Sequence, residues 1–284
     1  MSNSVLFNSQ AGNLTANAMI ENMRAVGAAD CDVLYVHTDM TFGLPAKGLK
    51  RSELLGALLA AIESLAVSTL IFPTFTFSFC NNEVYDVQNT RTHMGALNDY
   101  VRKSGKGLRT QDPLLSVIVL GEPLNFFDTP GKYSLGKDSH YDKLHNCGKK
   151  VNFLFFGADM RDCFTYTHYM EAVIGVAYRY DRAFTGTIID NGVVLPSQEY
   201  FLYSTYANCT LTSEPVVYNA MKAKKQLSFA PAGEGRFCCF SEADAFKTIS
   251  ECIRQNPLCL TDGSFDPTKN DMAYTHPGRI NSVK

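Results

Sequence analysis

The 284 residues of this chain are 45% apolar and 19% charged, a composition that supplies a packed core and excludes a disordered or fibrous protein. Its 26 lysines and arginines stand against 28 aspartates and glutamates, which gives a formal net charge of -2. Because no broad cationic field is available to hold a phosphate backbone, nucleic acid is excluded as the main partner.

The length of the chain favours one domain, residues 1–284. The start of the chain and its cysteines predict a cytoplasmic protein. The opening segment lacks the basic and apolar parts of a secretory signal, and no stretch is apolar for long enough to span a bilayer, so we expect no membrane association. The nine cysteines have no regular spacing. This spacing favours reduced core residues over a disulfide framework or a zinc site.

Helical and strand patterns alternate over the first quarter of the chain. Residues 14–26 carry apolar side chains at helical spacing, and Gly27 follows where a helix would stop. Residues 32–37 form a short apolar run that is typical of a buried strand. A second helix begins at Ser52, whose hydroxyl suits an N-cap, and residues 69–72 give another short strand.

Further strands follow, and then the pattern becomes antiparallel. Residues 115–120 and 151–156 are apolar runs that each end at a glycine, as buried strands leaving a sheet often do. The sequence Asp190-Asn191-Gly192 lies between residues 187–189 and 193–195, and it predicts a hairpin turn.

The last third of the chain continues with residues 197–209, a Tyr- and Phe-rich strand region, and with a helix whose predicted N-cap is Ser241. No repeat or low-complexity linker divides the chain. The most economical fold is a layered α/β/α domain around a mixed sheet, with an antiparallel subregion in the C-terminal third.

His168 and Glu171 are the first candidates for chemistry. Residues three apart in a helical stretch lie on the same face. A neutral imidazole there accepts a proton near pH 7, and a neighbouring carboxylate orients the ring or binds an attacking amine. From the residues alone, two other interpretations stay open: an ordinary contact on a helix surface, and half of a metal site whose remaining ligands the sequence does not supply.

Three loops that follow predicted strands are rich in hydroxyls, glycines and exposed backbone: residues 36–41, 72–76 and 94–116. Ligands of α/β proteins favour the edge at which strands end. Ordinary turn chemistry accounts for the same residue types, because Thr, Gly, Asp and Pro populate turns.

Together these segments resemble the aminoglycoside 3-N-acetyltransferase family. That family has His-Ser-Ser, Pro-Thr-Phe-Thr, Met-Gly leading to Phe-Arg, Arg-Ser-x-His-Pro-x-x-Ser, Gly-x-x-Ser-Pro and Thr-x-x-His-x-x-Glu in order. This chain has His37-Thr38-Asp39, Pro73-Thr74-Phe75-Thr76, Met94-Gly95 leading to Tyr100-Val101-Arg102, Arg109-Thr110-Gln111-Asp112-Pro113 with Ser116, Gly136-Lys137-Asp138-Ser139-His140, and Thr165-Tyr166-Thr167-His168 with Glu171. Six pieces in register are specific where each piece alone is weak.

The resemblance implies a single-domain mixed α/β fold, acetyl-CoA as donor, a sugar amine as acceptor and no metal. By position it makes His168 the general base, with Glu171 beside it as a second catalytic and substrate-binding residue. It assigns the loops that bind the cofactor to His37, Thr38, Thr74, Thr110 and Ser116, and further substrate contacts to Asp112 and Thr76.

Departures from the family pattern bear on the acceptor. Asp112 stands where the family commonly has His, His140 where it often has Pro, and Thr38-Asp39 where Ser-Ser is common. An enzyme for polycationic aminoglycosides should be clearly acidic, whereas this chain is nearly neutral. Its aromatic residues and its Lys222 region suit a nucleobase and a pyrophosphate.

The function predicted from the sequence is therefore N-acetylation of a nucleotide-linked, dTDP-type deoxyamino sugar for surface polysaccharide synthesis. The alternative is an aminoglycoside 3-N-acetyltransferase that confers antibiotic resistance. Two other classes remain: a hydrolase with Cys163 as nucleophile and His168 as base, and a binding module without catalysis. A homo-oligomer stays open.

Overall fold

The computed structural model describes residues 4–269 and 271–272. The strands are β1 (Val5–Ser9), β2 (Gly12–Thr15), β3 (Val33–Thr38), β4 (Leu44–Pro45), β5 (Thr69–Pro73), β6 (Tyr85–Asp86), β7 (Leu108–Arg109), β8 (Val117–Gly121), β9 (Val151–Phe156), β10 (Arg179–Gly186), β11 (Ile188–Asp190), β12 (Val193–Val194), β13 (Gln198–Thr205), β14 (Ser228–Ala232) and β15 (Gly235–Ser241). The α-helices are α1 (Ala16–Ala25), α2 (Arg51–Glu63), α3 (Ala96–Ser104), α4 (His140–His145), α5 (Met160–Cys163), α6 (Tyr166–Ile174), α7 (Val216–Ala223) and α8 (Glu242–Gln255).

A seven-stranded mixed sheet forms the middle layer, in the order β14-β15-β9-β3-β5-β8-β7. Strand β3 pairs in parallel with both β9 and β5. The outer pairs, β9 with β15, β15 with β14, β5 with β8 and β8 with β7, are antiparallel. The central strands are buried on both faces, which explains why they read as continuous apolar runs in the sequence.

Successive side chains of each central strand enter two different cores, because side chains alternate across a strand. Tyr35 and Phe153 pack into the core on one face of the sheet, with α4, α6, α7 and α8. Leu34 and Leu154 pack into the core on the other face, with α1, α2 and α3. Helices therefore cover both faces, which confirms the predicted layered α/β/α fold.

The antiparallel subregion lies where it was predicted. Strands β10 and β13 form a two-stranded ribbon, and β11 and β12 form the predicted hairpin. Its turn residues Asn191 and Gly192 have φ of 48° and 78°, as the Asn-Gly turn requires. Strand β11 also pairs in parallel with β6, a contact that local pattern could not have indicated.

Three of the predicted boundaries that differ from the structure do so where a side chain supplies a hydrogen bond. The N-cap of α2 is Lys50 rather than Ser52, since the Glu53 carboxylate accepts from the Lys50 N–H at 2.9 Å. Helix α1 begins after its N-cap Thr15, so Leu14 belongs to β2. Strand β8 begins two residues late because Asp112 holds the N–H groups of residues 114 and 115. The predicted N-cap Ser241 of α8 is confirmed, at 3.1 Å from the Asp244 N–H.

Two further observations concern membranes and metals. Within residues 4–269 and 271–272, no helix is long and apolar enough to cross a bilayer. The same residues contain no group of three or more His, Cys, Asp or Glu side chains placed to hold a metal ion. The cysteines of this part of the chain are not joined in disulfides.

Candidate active site

Helix α6 brings His168 and Glu171 together. It follows the short helix α5, and it ends at Gly175, whose φ of 79° reverses the chain towards β10. One turn of helix separates the two side chains, so they lie on the same face. His168 Nδ1 is 2.6 Å from Glu171 Oε2, which makes the predicted pair a direct contact.

The Glu171 carboxylate is fully buried, and both of its oxygens have polar partners. The Tyr178 hydroxyl donates to Oε1 at 2.6 Å, and Arg179 Nε lies 2.8 Å from Oε2. Burial alone would raise the pKa of Glu171, but the charges of Arg179 and His168 and the hydrogen bonds from His168 and Tyr178 lower it to about 2. Glu171 is therefore ionised at neutral pH.

An ionised carboxylate fixes the tautomer of His168. It can only accept hydrogen bonds, so the 2.6 Å contact requires the hydrogen to be on Nδ1. Whenever the ring is neutral, the other ring nitrogen, Nε2, then carries a lone pair. The His168 side chain is 37% exposed, whereas that of Glu171 is 0% exposed. His168 can thus meet a ligand directly, and Glu171 acts through it.

His168 and Glu171 lie on the wall of a cavity of about 250 Å³ between α5, α6 and the start of α7. Phe164, Val216 and Leu260 form part of its apolar lining. The remaining lining residues are Met160, Arg161, Asp162, Cys163, Thr165, Thr167, Leu211, Thr212, Glu214, Pro215, Val217 and Tyr218. The cavity combines apolar side chains with hydroxyl groups and charges of both signs, so it suits a polar small molecule.

Cationic side chains gather around one side of this cavity. The carboxylate of Asp159 holds Arg161 and also Arg236, the latter at 3.1 Å. The Arg161 guanidinium lies 5.4 Å from the ring centre of Tyr218, and Lys222 Nζ lies 5.8 Å from the same centre. We call Arg161, Lys222, Arg236 and Tyr218 the cationic rim.

Two of the hydroxyls predicted to bind the cofactor, those of Thr74 and Ser116, belong to a buried network around Arg109. Arg109 Nε donates to Thr74 Oγ1 at 3.1 Å and to Ser116 Oγ at 3.3 Å. Its other nitrogens donate to the carbonyls of Thr74, Val87 and Thr90. Both hydroxyls are fully buried, so they brace the loops.

The side chains of three more predicted residues are also engaged within the protein. His37 is buried and stacked on Phe155 with ring centres 4.5 Å apart, and burial lowers the pKa of His37 to about 3. The Thr38 hydroxyl donates to Asn98 Oδ1 at 2.6 Å, and Thr38 itself is half-buried. The Thr76 hydroxyl is buried and donates to a backbone carbonyl at 2.8 Å.

Thr110 and Asp112 line a second cavity, of about 270 Å³, together with His140 and Tyr200. Asp112 Oδ1 accepts from two backbone N–H groups and from the Ser134 hydroxyl at 2.9 Å. Burial raises the pKa of the Asp112 carboxyl despite these bonds. The predicted site residues are thus divided between a cavity at His168 and a cavity at Asp112.

The Cys163 thiol is a poor nucleophile. Burial, reinforced by the nearby Asp162 and Asp159 carboxylates, raises its pKa to about 12, so it stays protonated at neutral pH. Its Sγ donates to the Asp159 carbonyl at 3.2 Å. These facts weigh against a thiol hydrolase.

We expect Cys163→Ser to retain the acetyl transfer that the motif resemblance implies, within a few-fold of the unaltered protein, because a protonated thiol is not the nucleophile. Initial rates of CoA release with the preferred acceptor measure this. A loss of 100-fold or more in a variant with unchanged thermal unfolding would restore the thiol mechanism.

Sequence reasoning missed Tyr178 and Arg179, the two residues that hold Glu171. They lie beyond the end of α6, on and just before β10, where no helical periodicity connects them to Glu171. One signal was available: a carboxylate on an apolar helix face needs a cation when it is buried. Arg179 is the nearest basic residue that follows Glu171 in the chain.

Comparison with known proteins places the chain in a family. The sequence model of the aminoglycoside 3-N-acetyltransferase family matches residues 36–253. No curated protein sequence matches the chain significantly.

Solved structures share the fold. Aminoglycoside acetyltransferase AAC(3)-Xa is 18% identical with a TM-score of 0.70, over 85% of this chain and 93% of that one. AAC-IIIb, solved as a binary complex with CoASH, is 16% identical with a TM-score of 0.68, over 85% and 96%. A mutant of AAC(3)-IVa in complex with a gentamicin is 17% identical with a TM-score of 0.68, over 92% and 93%. The chain belongs to the aminoglycoside 3-N-acetyltransferase family, whose members are acetyl-CoA-dependent N-acetyltransferases, as its motifs predicted.

Proposed function

We propose that this protein transfers an acetyl group from acetyl-CoA to the amine of an amino sugar bound in the His168 cavity. One observation carries the proposal: ionised Glu171 holds the Nδ1–H of His168, so that Nε2 is left as a proton acceptor. The CoASH complex of AAC-IIIb supports acetyl-CoA as the donor.

The reaction needs a base because the amine sheds a proton when it attacks. The acceptor ammonium loses one proton to solvent, and its nitrogen then attacks the thioester carbonyl carbon. His168 Nε2 takes the proton that the nitrogen releases, the C–S bond breaks, and the proton passes to the departing sulfur. The products are the N-acetyl amide and CoA. The imidazolium formed on the way is stabilised by the Glu171 carboxylate at 2.6 Å.

Acetyl-CoA binds, in this proposal, along the loops that carry His37, Thr38, Thr74, Thr110 and Ser116. Thr74 and Ser116 act by bracing these loops through Arg109, and Thr110 lies on the wall of the second cavity. The acceptor contacts predicted for Thr76 and Asp112 stay predictions, because Asp112 lines the cavity of Thr110 rather than that of His168, and the Thr76 hydroxyl donates to a backbone carbonyl. A cytoplasmic location and a single domain over residues 1–284 belong to the same proposal.

The preferred acceptor is a nucleotide-linked, dTDP-type deoxyamino sugar, the kind used for surface polysaccharides. The cationic rim supports this choice. Arg161 and Lys222 offer charge to a pyrophosphate, and the ring of Tyr218 offers a stacking surface to a base. Arg161 is exposed and lines the cavity directly.

A free aminoglycoside is the second candidate. Asp162 and Glu214 are exposed on the same cavity and would attract a polycation. The gentamicin complex of an AAC(3)-IVa mutant supports this candidate as well. The cationic rim attracts the pyrophosphate of a nucleotide-linked sugar and repels a polycationic aminoglycoside. Substitutions in the rim therefore distinguish the two acceptors.

We expect CoA release to be faster, in kcat/KM, with a dTDP-linked amino sugar than with gentamicin or sisomicin tested beside it. Arg161→Gln should raise the KM of the nucleotide-linked acceptor about tenfold, because a charged contact of this kind is worth on the order of 1.5 kcal/mol. Arg254→Gln, an exposed substitution in the last turn of α8, is the matched control. A higher kcat/KM for the aminoglycosides would reverse the choice of acceptor.

Direct attack of the amine on the thioester requires a ternary complex, which determines the pattern of initial rates. Initial rates should give intersecting lines for the two substrates, since both must be bound together. Ping-pong kinetics, or protein acetylated by acetyl-CoA alone, would contradict a histidine base without a nucleophile.

A further inference from the structure

We propose that Arg179 is a positioning residue that, by holding Glu171 ionised, fixes the tautomer of His168 in which Nε2 can accept a proton. This inference rests on the proposed function of the site. It deepens that function by naming what sets the state of the base.

Two groups compete for the same ring nitrogen. Glu171 Oε2 is 2.6 Å from His168 Nδ1, and Arg179 Nη2 is 3.0 Å from it. A carboxylate only accepts and a guanidinium only donates, so the two contacts require opposite tautomers. With hydrogen on Nδ1, the ring donates to Glu171 and Nε2 is basic. With the lone pair on Nδ1, the ring accepts from Arg179. Nε2 then carries hydrogen and cannot act as the base.

Arg179 has other partners, so it can yield Nδ1 to Glu171. Its Nε lies 2.8 Å from Glu171 Oε2, and its Nη1 donates to the Tyr203 carbonyl at 3.0 Å. Tyr203 belongs to β13, which pairs with β10 along the whole ribbon. The ribbon therefore holds the guanidinium against Glu171, with the Arg179 side chain 6% exposed.

Without a cation at this position the buried carboxyl would not stay ionised. Burial is the largest influence on Glu171, and it acts to raise its pKa; the Arg179 charge is the largest influence in the other direction. A protonated Glu171 would donate its hydrogen to Nδ1 and force the unreactive tautomer. The protonation state of the Glu171 carboxyl thus determines which ring nitrogen of His168 is basic.

Other groups face this pair, and none of them replaces Arg179. Tyr178 donates to Glu171 but carries no charge. Burial, together with the Glu171 charge, raises the pKa of the Cys209 and Cys259 thiols, so these groups supply no positive charge. The charged groups on the cavity wall are Arg161, Asp162 and Glu214. Arg161 is already paired with Asp159.

Nitrogen-15 NMR of the imidazole tests the proposal without any substrate, because the two nitrogens of a neutral ring have different shifts in each tautomer. The His168 signal is assigned from its loss in His168→Asn. We expect hydrogen on Nδ1 in the unaltered protein and in Arg179→Lys, which keeps the charge, and hydrogen on Nε2 in Arg179→Met. Arg182→Met, on the same strand, is the matched control and should keep hydrogen on Nδ1.

Activity gives the second measurement. The acid limb of the kcat/KM profile of Arg179→Met should move to higher pH by at least one unit, because protonation of Glu171 then removes the base. If Arg179→Met does not fold, Arg179→Gln replaces it, since the amide retains a donor for the Tyr203 carbonyl. Hydrogen on Nε2 in the unaltered protein, or on Nδ1 in the folded neutral variant, would overturn the proposal. The NMR result holds whichever acceptor is acetylated, so it fails separately from the proposed function.

Discussion

Replacing His168 with Asn should lower kcat about 10²–10⁴-fold, the range that general base catalysis contributes. Asn keeps a polar side chain of similar reach but cannot accept a proton near neutral pH. The acetyl-CoA dissociation constant should stay nearly unchanged, because the role proposed for His168 is at the reacting amine and not at the body of the donor. Steady-state CoA release and calorimetric titration with CoA measure the two quantities.

The chain contains a matched control for this experiment. His145 forms a second histidine–carboxylate pair, with its Nδ1 2.8 Å from Glu242 Oε1, and it stacks on Phe246 with ring centres 4.1 Å apart. It is half-exposed like His168 but does not line the His168 cavity. His145→Asn should therefore leave kcat unchanged. Wild-type kcat in His168→Asn across neutral pH would place the base elsewhere.

Local pattern predicted the central sheet well because its strands are buried on both faces. The segments that form β3 and β9 are short apolar runs. When both faces of a strand are buried, polar and apolar residues do not alternate along it. The hairpin between β11 and β12 was equally visible, because its Asn-Gly turn has few alternative conformations.

The site was only partly predictable, and the missing part is non-local. His168 and Glu171 are three residues apart, so helical spacing alone brings them together. Arg179 reaches them through a chain reversal and a ribbon whose partner strand is β13. Sequence spacing carries no information about that pairing.

The hydroxyl-rich loops show a second limit. Thr74 and Ser116 have the residue type of a ligand contact, yet they face Arg109 in the protein interior. Whether a hydroxyl points to a ligand or braces a loop depends on the direction of its side chain. Arg109 is itself buried, and no local pattern around it indicates that it needs these acceptors.

Glu171→Gln should lower the free energy of unfolding at neutral pH by about 3 kcal/mol, because it removes the charge that compensates buried Arg179. The pKa of Glu171 supports the same magnitude. It falls from the ordinary 4.5 to about 2 in the folded protein, and each pKa unit is worth about 1.36 kcal/mol.

The pH dependence of this effect has a definite sign. Since the folded-state pKa is depressed, the stabilisation is fully present above pH 4.5 and is lost as the pH falls towards 2. Between pH 7 and pH 3 the unaltered protein should therefore lose roughly 2 kcal/mol more stability than Glu171→Gln does. Urea unfolding of both proteins at the two pH values measures the difference.

Glu63→Gln is the control, because its ion pair with Lys106 is on the surface at 2.8 Å and solvent screens it. It should change the unfolding free energy little at either pH. Glu171→Gln should also reduce kcat less than His168→Asn does, since the Gln carbonyl can still accept the Nδ1–H of His168. Equal acid sensitivity of Glu171→Gln and the unaltered protein would mean that folding does not lower the pKa of Glu171, and the argument that its partners hold this carboxylate ionised would fail with it.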